Sequence, residues 1–258
     1  MVIAGYEKTS LIEWPGKISA VLFTQGCNFK CPFCHNADLV QNRRAGERES
    51  ERVKEQEIIA DLKRRREWLD AVVVTGGEPT LQKDLPEFLE SLGPPSPRLR
   101  RGKGLGLLRM VHTNGTNPKV VKKLIDEKLV DYWGMDLKSN FDNYFLVQSS
   151  KLKIQSLIQN VKTSMVSIIN SGVEYEFRTT VVPGIHDLDN LKKLASELQS
   201  AINNQQSAIK SKWYLQQFRP INCLDKSYLK KKPFSKEEME NFQKELQQII
   251  PHTFLRGV

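Results

Sequence analysis

Residues 18 to 39 read ISAVLFTQGCNFKCPFCHNADL, and the reading of this stretch sets the reading of the rest of the chain. Ile18 to Thr24 is a short apolar, partly β-branched run of the kind that forms a buried strand. It leads directly into a loop that carries Cys27, Cys31 and Cys34 in a CxxxCxxC spacing. Runs of the same kind recur at AVVVT (Ala71 to Thr75), LLRMVHT (Leu107 to Thr113), VDYWGMDLK (Val130 to Lys138), VEYEFRTTVV (Val173 to Val182) and KWYLQQF (Lys212 to Phe218). Amphipathic stretches alternate with them and predict helices over Val53 to Trp68, Leu81 to Leu92, Pro118 to Glu127, Ile154 to Asn170, Leu188 to Ala201 and Lys236 to Ile250, several opened by Pro or Asp. Strand and helix in alternation are the pattern of a parallel sheet with crossover helices. A closed barrel needs eight such units in about 250 residues. Six units in a chain of 258 residues predict an α/β fold, a partial (β/α)6 barrel, built as a single domain over 1–258.

Composition narrows the function classes. Hydrophobic residues at 39% and charged residues at 27% suffice for a core, which argues against a disordered chain. No apolar run reaches the roughly 20 residues that span a bilayer, and the first residues lack a signal-peptide pattern. Four cysteines, three of them within eight positions, are too few and too bunched for a secreted disulfide scaffold. Reduced thiols, no membrane association and a cytoplasmic location are therefore expected. The net charge of +9 comes largely from Arg43 to Arg66 and Arg98 to Lys103. These stretches could attract nucleic acid or an acidic protein. Interleaved Glu in the first and the absence of stacking aromatics from both favour solvated surface and make nucleic acid an unexpected partner.

In parallel α/β folds the reactive groups collect at the C-terminal ends of strands. Three thiolates on one loop can hold a 4Fe-4S cubane while leaving the fourth iron open to an exogenous ligand. The alternatives are a zinc knuckle with His35 or Cys223 as fourth ligand, or unrelated thiols; structural zinc sites generally draw ligand pairs from separate segments. After the second strand comes TGGEP, Thr75 to Pro79. Gly76 and Gly77 leave room for a ligand's close approach, and Glu78 offers a carboxylate to an ammonium group; an ordinary βα turn would read the same way. Asp136 and Lys138 end the fourth strand on one face, as ligand contacts or as a plain ion pair. Cys223, far from the other three, is expected to be an idle thiol.

The cysteine loop after the first strand and GGEP after the second together resemble the radical S-adenosylmethionine (SAM) superfamily. Within it, CPFCHNADL (Cys31 to Leu39), SLIEWPGK (Ser10 to Lys17), HTNGT (His112 to Thr116), DYWGMDLK (Asp131 to Lys138) and VVPG (Val181 to Gly184) resemble the glycyl-radical-enzyme activating proteins, and most of all the activating protein of anaerobic ribonucleoside-triphosphate reductase. The resemblance implies that Cys27, Cys31 and Cys34 bind a 4Fe-4S cluster, whose open iron chelates the amino and carboxylate groups of SAM. One electron from a low-potential donor such as flavodoxin or ferredoxin then cleaves SAM to methionine and a 5′-deoxyadenosyl radical. That radical removes a hydrogen from the Cα of one glycine in the partner enzyme. It further implies that Gly76, Gly77 and Glu78 hold the methionine amino group and that Phe33 contacts the adenine with Asn36 just beyond. Asp136 and Lys138 would serve the ribose hydroxyls and the carboxylate, and Val182 would wall the adenine. His112 and Asn114 stand as SAM neighbours. His112 is a departure, because typical activating enzymes place Asp before Thr-Asn-Gly, where it helps bind a monovalent cation; an imidazole does not replace a carboxylate for a hard cation. Two other functions compete: a radical SAM enzyme acting on a small molecule, such as a deazapurine-type synthase, and a non-catalytic iron–sulfur or nucleic-acid-binding protein.

Overall fold

The computed structural model describes residues 1–40, 54–93, 105–147, 154–204 and 211–258. The basic insertion 98–103 and the part of the first basic stretch before residue 54 lie outside the described residues. The protein has an α/β fold with a mostly parallel sheet. It divides into two compact units, each assembled from several stretches of chain: Met1–Asn28, Asp38–Thr113 and Lys119–Trp133 form the first, and Phe29–Ala37, Asn114–Pro118 and Gly134–Val258 the second.

In the first unit, β1 (Ile3–Ser10) runs antiparallel to β2 (Ser19–Thr24). Parallel to β2 lies β3 (Ala71–Gly76), in register from Ser19 opposite Ala71 to Thr24 opposite Gly76. Next comes β4 (Leu108–Thr113), paired with β3 from Ala71 opposite Leu108. The inner strand β3 is apolar along most of its length because both of its faces are covered: Val72, Val73 and Val74 are fully buried. One core cluster gathers Trp14, Val21, Ala71, Val73, Met110 and Tyr132, with the Trp14 and Tyr132 rings 5.1 Å apart. Helices α1 (Ala37–Val40), α2 (Glu55–Arg65), α3 (Leu85–Ser91) and α4 (Pro118–Asp126) connect the strands. Pro86 and Pro118 sit in first turns, where a missing N–H costs nothing.

Strand β5 (Tyr132–Asp136) contributes Gly134 to Asp136 to the second unit. There β6 (Glu174–Val181), β7 (Lys212–Gln217) and β8 (Thr253–Arg256) are parallel neighbours in chain order. Helix α5 (Ile154–Ile169) buries Val161, Ser164, Met165, Ile168 and Ile169, a stripe with helical spacing. Helix α6 (Leu188–Asn203) buries Leu191, Leu194, Ala195 and Leu198 on the same logic and is capped by Asp187, whose carboxylate accepts from Asn190 N at 2.8 Å. A capping box between Ser235 and Glu238 opens α7 (Lys236–Gln247).

The six expected strands and six expected helices are all present, with most ends matching or up to four residues shorter than expected, while β3 runs one residue further, to Gly76, and α6 two residues further, to Asn203. The strands β1 and β8 are additional to the expectation.

Candidate functional site

The candidate residues divide between the units. In the first, β2 ends at Thr24, and Gln25 and Gly26 lead to Cys27. This stretch is held by backbone hydrogen bonds from Gln25 N to Val2 O (3.0 Å) and from Gly26 N to Leu39 O (2.9 Å), and by Gln82 Nε2 donating to Gln25 O (2.8 Å). The turn after β3 lies directly against it: Gly77 N donates to Thr24 O at 2.9 Å and Glu78 N to Gly26 O at 2.8 Å. That closeness explains both glycines. Gly76 has φ +113, and a Cβ on it would stand 2.3 Å from Thr24 N; a Cβ on Gly77 would stand 1.9 Å from Gly26 O. On the Cβ side, therefore, the space expected for a ligand is filled by the chain's own backbone, and the glycines fix where the cysteine loop begins.

Glu78 is buried and caps the short 3₁₀ turn Pro79–Leu81. Its Oε1 accepts from Thr80 N (3.1 Å), Thr80 Oγ1 (2.6 Å) and Thr113 Oγ1 (2.7 Å). The turn after β3 is thus tied to the last residue of β4. A second tie runs between the same strands, from His112 Nδ1 to Thr75 Oγ1 at 3.0 Å. His112 is buried, so the structure gives it a bracing contact.

In the second unit, Cys34 N donates to Cys31 O at 3.0 Å, turning the loop so that Phe33 is buried between the two cysteines in sequence. Phe29 packs edge-on against Tyr144, centroids 6.4 Å apart. Burial pushes the Cys34 thiol up, while the Asn36 backbone N–H and the nearby Lys138 ammonium pull the other way. Lys138 Nζ donates to Asp136 Oδ2 at 2.8 Å, which places both strand-end residues in one ion pair. The other oxygen, Oδ1, accepts from Arg178 Nε of β6, also at 2.8 Å. Burial by itself would lower Lys138, but Asp136 and Cys31 outweigh it and hold the ammonium above the usual lysine range.

His186 completes this end. Its Nδ1 accepts from Val182 N at 3.0 Å, so the ring proton sits on Nε2, which donates to Lys138 O at 3.1 Å. Burial lowers its pKa to about 4, keeping it neutral at ordinary pH. It braces the backbone where Lys138 and the buried Val182 leave their strands. Asn114 Oδ1 accepts from Thr116 N (3.0 Å) and Thr116 Oγ1 (2.7 Å), closing an Asx turn around Gly115. Cys223 is buried in this unit with its Sγ 3.9 Å from Ile221 O.

Arg178 and His186 are the residues that the sequence reading missed. Their signals were a cation inside the apolar run VEYEFRTTVV and a histidine two residues after VVPG.

The donor set fits an iron–sulfur cubane. None of Cys27, Cys31, Cys34 and Cys223 forms a disulfide, and three of them lie within eight positions. Among the described residues no three His, Cys, Asp or Glu are grouped around a single metal position. A cubane asks for a different arrangement, since each thiolate binds its own iron. Coordination would supply the electrostatic stabilisation that burial withholds from the Cys34 thiolate.

The radical SAM superfamily profile matches residues 21–196. The chain belongs to the radical SAM superfamily. MJ1227 of Methanocaldococcus jannaschii, itself named only by inference as a glycyl-radical enzyme activating enzyme, is 31% identical over 264 residues, covering 100% of this chain and 96% of that protein. The pyruvate formate-lyase-activating enzyme of Clostridium pasteurianum is 28% identical over 206 residues, 78% of this chain and 77% of that enzyme. Among solved structures, HydG, a maturase of the FeFe hydrogenase, superposes with a TM-score of 0.57 at 12% identity, covering 89% of this chain and 48% of that one; this likeness speaks for the fold alone. Radical SAM enzymes use a 4Fe-4S cluster and SAM, and this chain is one of the glycyl-radical-activating kind.

Proposed function

We propose that this radical SAM enzyme, acting as one domain over residues 1–258, generates a glycyl radical on anaerobic ribonucleoside-triphosphate reductase. Flavodoxin or ferredoxin is the proposed electron donor and the cytoplasm the proposed location. The observation that carries the reading is the cysteine triad: three thiols on one loop, Cys27, Cys31 and Cys34, with no fourth cysteine in the loop, as a cluster with an open iron requires. The choice of partner is supported by the segments SLIEWPGK, HTNGT, DYWGMDLK and VVPG. The location is supported by four cysteines that form no disulfide; no helix of the described residues is long and apolar enough to cross a membrane.

In this reading the cluster supplies the electron that cleaves SAM, and the chain's residues bind and orient. Glu78, with the backbone at Gly76 and Gly77, receives the methionine ammonium. Lys138 receives the carboxylate, with Asp136 and Arg178 fixing the position of its ammonium. Asp136 also serves the ribose. Phe33 and Val182 enclose the adenine, with Asn36, His112 and Asn114 as neighbours.

The test is anaerobic reconstitution with iron and sulfide, reduction, and addition of SAM together with the reductase. An electron paramagnetic resonance doublet from a glycyl radical on the reductase is the expected result. Cleavage of SAM without a radical on a second polypeptide would move the assignment to a small-molecule substrate. No cleavage at all would leave an electron carrier.

A further inference from the structure

Residues 219–232, which follow β7, form a basic strip tied to the cysteine loop. Asp225 N donates to Pro32 O at 2.9 Å, and Asn222 Nδ2 donates to His35 O at 3.0 Å. Lys231 Nζ donates to Pro183 O at 3.0 Å, next to Val182. Asn222 adopts φ +51, a left-handed turn that Asn tolerates better than most residues. The segment is therefore positioned by the same loop that carries Cys31 and Cys34.

Its outward composition is one-sided. Arg219, Lys226, Lys230 and Lys232 are exposed, and none makes a salt bridge with a described residue. The one acid of the strip, Asp225, is occupied as a cap, accepting from Ser227 N at 2.8 Å. Between the cations stand two large aliphatic side chains in water, Ile221 at 64% exposure and Leu229 at 42%. Single exposed aliphatics are common, but two set among unpaired cations, on a segment anchored at three points, resemble an interface core with its charged rim.

We infer that residues 219–232 are the docking strip for an acidic, aliphatic-bearing surface of the glycyl-radical partner. The inference rests on the activating function proposed above. A partner that presents a glycine to a radical formed at the cysteine loop comes close to that loop, and this segment is fastened to it at Pro32 and His35. Protein fits better than RNA, because single-stranded nucleic acid is held by stacking on open aromatic faces. The only aromatic ring inside the strip, Tyr228, is covered by the Lys231 ammonium at 4.6 Å and by the edge of Phe218.

The test compares wild type with a quadruple variant, Arg219→Glu, Lys226→Glu, Lys230→Glu and Lys232→Glu, and with the matching Gln set as a fold control. Reconstituted enzymes are assayed for reductive SAM cleavage alone and for glycyl-radical formation on anaerobic ribonucleoside-triphosphate reductase and on pyruvate formate-lyase, at several salt concentrations. The inference expects unchanged partner-free cleavage and, at low salt, glycyl-radical formation slowed roughly tenfold or more by the Glu set, with the gap closing as salt screens the charges. The Gln set should fall between. Equal activation by wild type and the Glu set at every salt concentration overturns the inference and leaves the function standing. Loss of binding to a single-stranded RNA oligonucleotide, with partner activation intact, assigns the strip to nucleic acid and overturns it as well. A wild type that cleaves SAM yet activates neither partner removes the activating function and the inference with it.

Discussion

Replacing Glu78 separates what it does for the fold from what it is proposed to do for SAM. Three donors converge on its Oε1 inside a site that is 1% exposed. In Glu78→Ala the two threonine hydroxyls can rotate to other acceptors, but the Thr80 amide is fixed and buried, and an orphaned donor of this kind costs about 1 to 3 kcal/mol. The same change removes a carboxylate worth about 1 to 3 kcal/mol to a bound ammonium, or roughly 5- to 150-fold in affinity. Glu78→Ala should therefore lower both stability and SAM affinity. Glu78→Gln keeps an oxygen for the three donors and loses only the charge. It should remain within about 1 kcal/mol of wild type in stability, the scale on which charged and neutral hydrogen bonds differ, while its SAM affinity falls nearly as far as in the Ala variant. Anaerobic urea titration gives the first quantity and equilibrium binding of SAM to the reconstituted protein gives the second. A Gln variant that binds SAM as tightly as wild type while the Ala variant does not would refute the ligand role and leave Glu78 as a turn residue.

Cys27→Ala, Cys31→Ala and Cys34→Ala should each abolish a stable cluster, read as iron and sulfide content, whereas Cys223→Ala should retain both cluster and SAM turnover. Gly77→Ala should prevent the loop from closing, because its Cβ would stand 1.9 Å from Gly26 O; a variant that loads iron normally would show that the turn can shift. For His186 the folded pKa, about 4, lies below its unfolded value, so the unfolded chain takes up a proton first on acidification. Its contribution to stability is complete above the unfolded pKa, about 6.5, and declines by up to about 1.4 kcal/mol per pH unit towards pH 4. His186→Gln should flatten urea midpoints over that window relative to wild type, and parallel curves would contradict the neutral strut.

Much of the fold was legible because burial on both faces leaves a plain trace. AVVVT reads as an inner parallel strand, and Val161, Met165, Ile168 and Ile169 within the expected helix Ile154 to Asn170 have the spacing of one helical face. Strand β1 escaped because four of its middle residues, YEKT, are mostly polar and it is a half-exposed antiparallel edge. Strand β8 escaped because four residues carry no period. At the candidate site, the cysteines and GGEP announce themselves by residue type. The purpose of the glycines did not, since approach to a ligand and approach to Thr24 and Gly26 leave the same letters in the sequence. Arg178 could have been found, because a guanidinium in a buried strand must meet an anion, and Asp136 was already in view. His186 depended on a backbone contact to Lys138 that only the folded chain reveals.

The two strand-end networks share one construction, and it governs how variants should be read. In the first unit Glu78 is fixed through Thr113 of the next strand, and Thr75 through His112. In the second, Lys138 is fixed through Asp136 and Arg178 for its ammonium and through His186 for its carbonyl. In each case the proposed ligand residue is held by a neighbour rather than by its own rotamer alone, which removes conformational freedom before SAM arrives and so favours affinity. The cost is coupling, because truncating one member takes a hydrogen bond from a partner inside the same network, and stability and binding then fall together. Alanine scanning of this site would make every residue look important. Changes one step removed from the ligand residues are the informative ones: Arg178→Met and His186→Gln should weaken SAM binding while leaving cluster content unchanged, because they act on the position of Lys138 and not on a cysteine. If Arg178→Met lost the cluster as readily as Cys31→Ala, the Asp136 network would be holding the loop itself, and the separation of ligand positioning from cluster binding would fail.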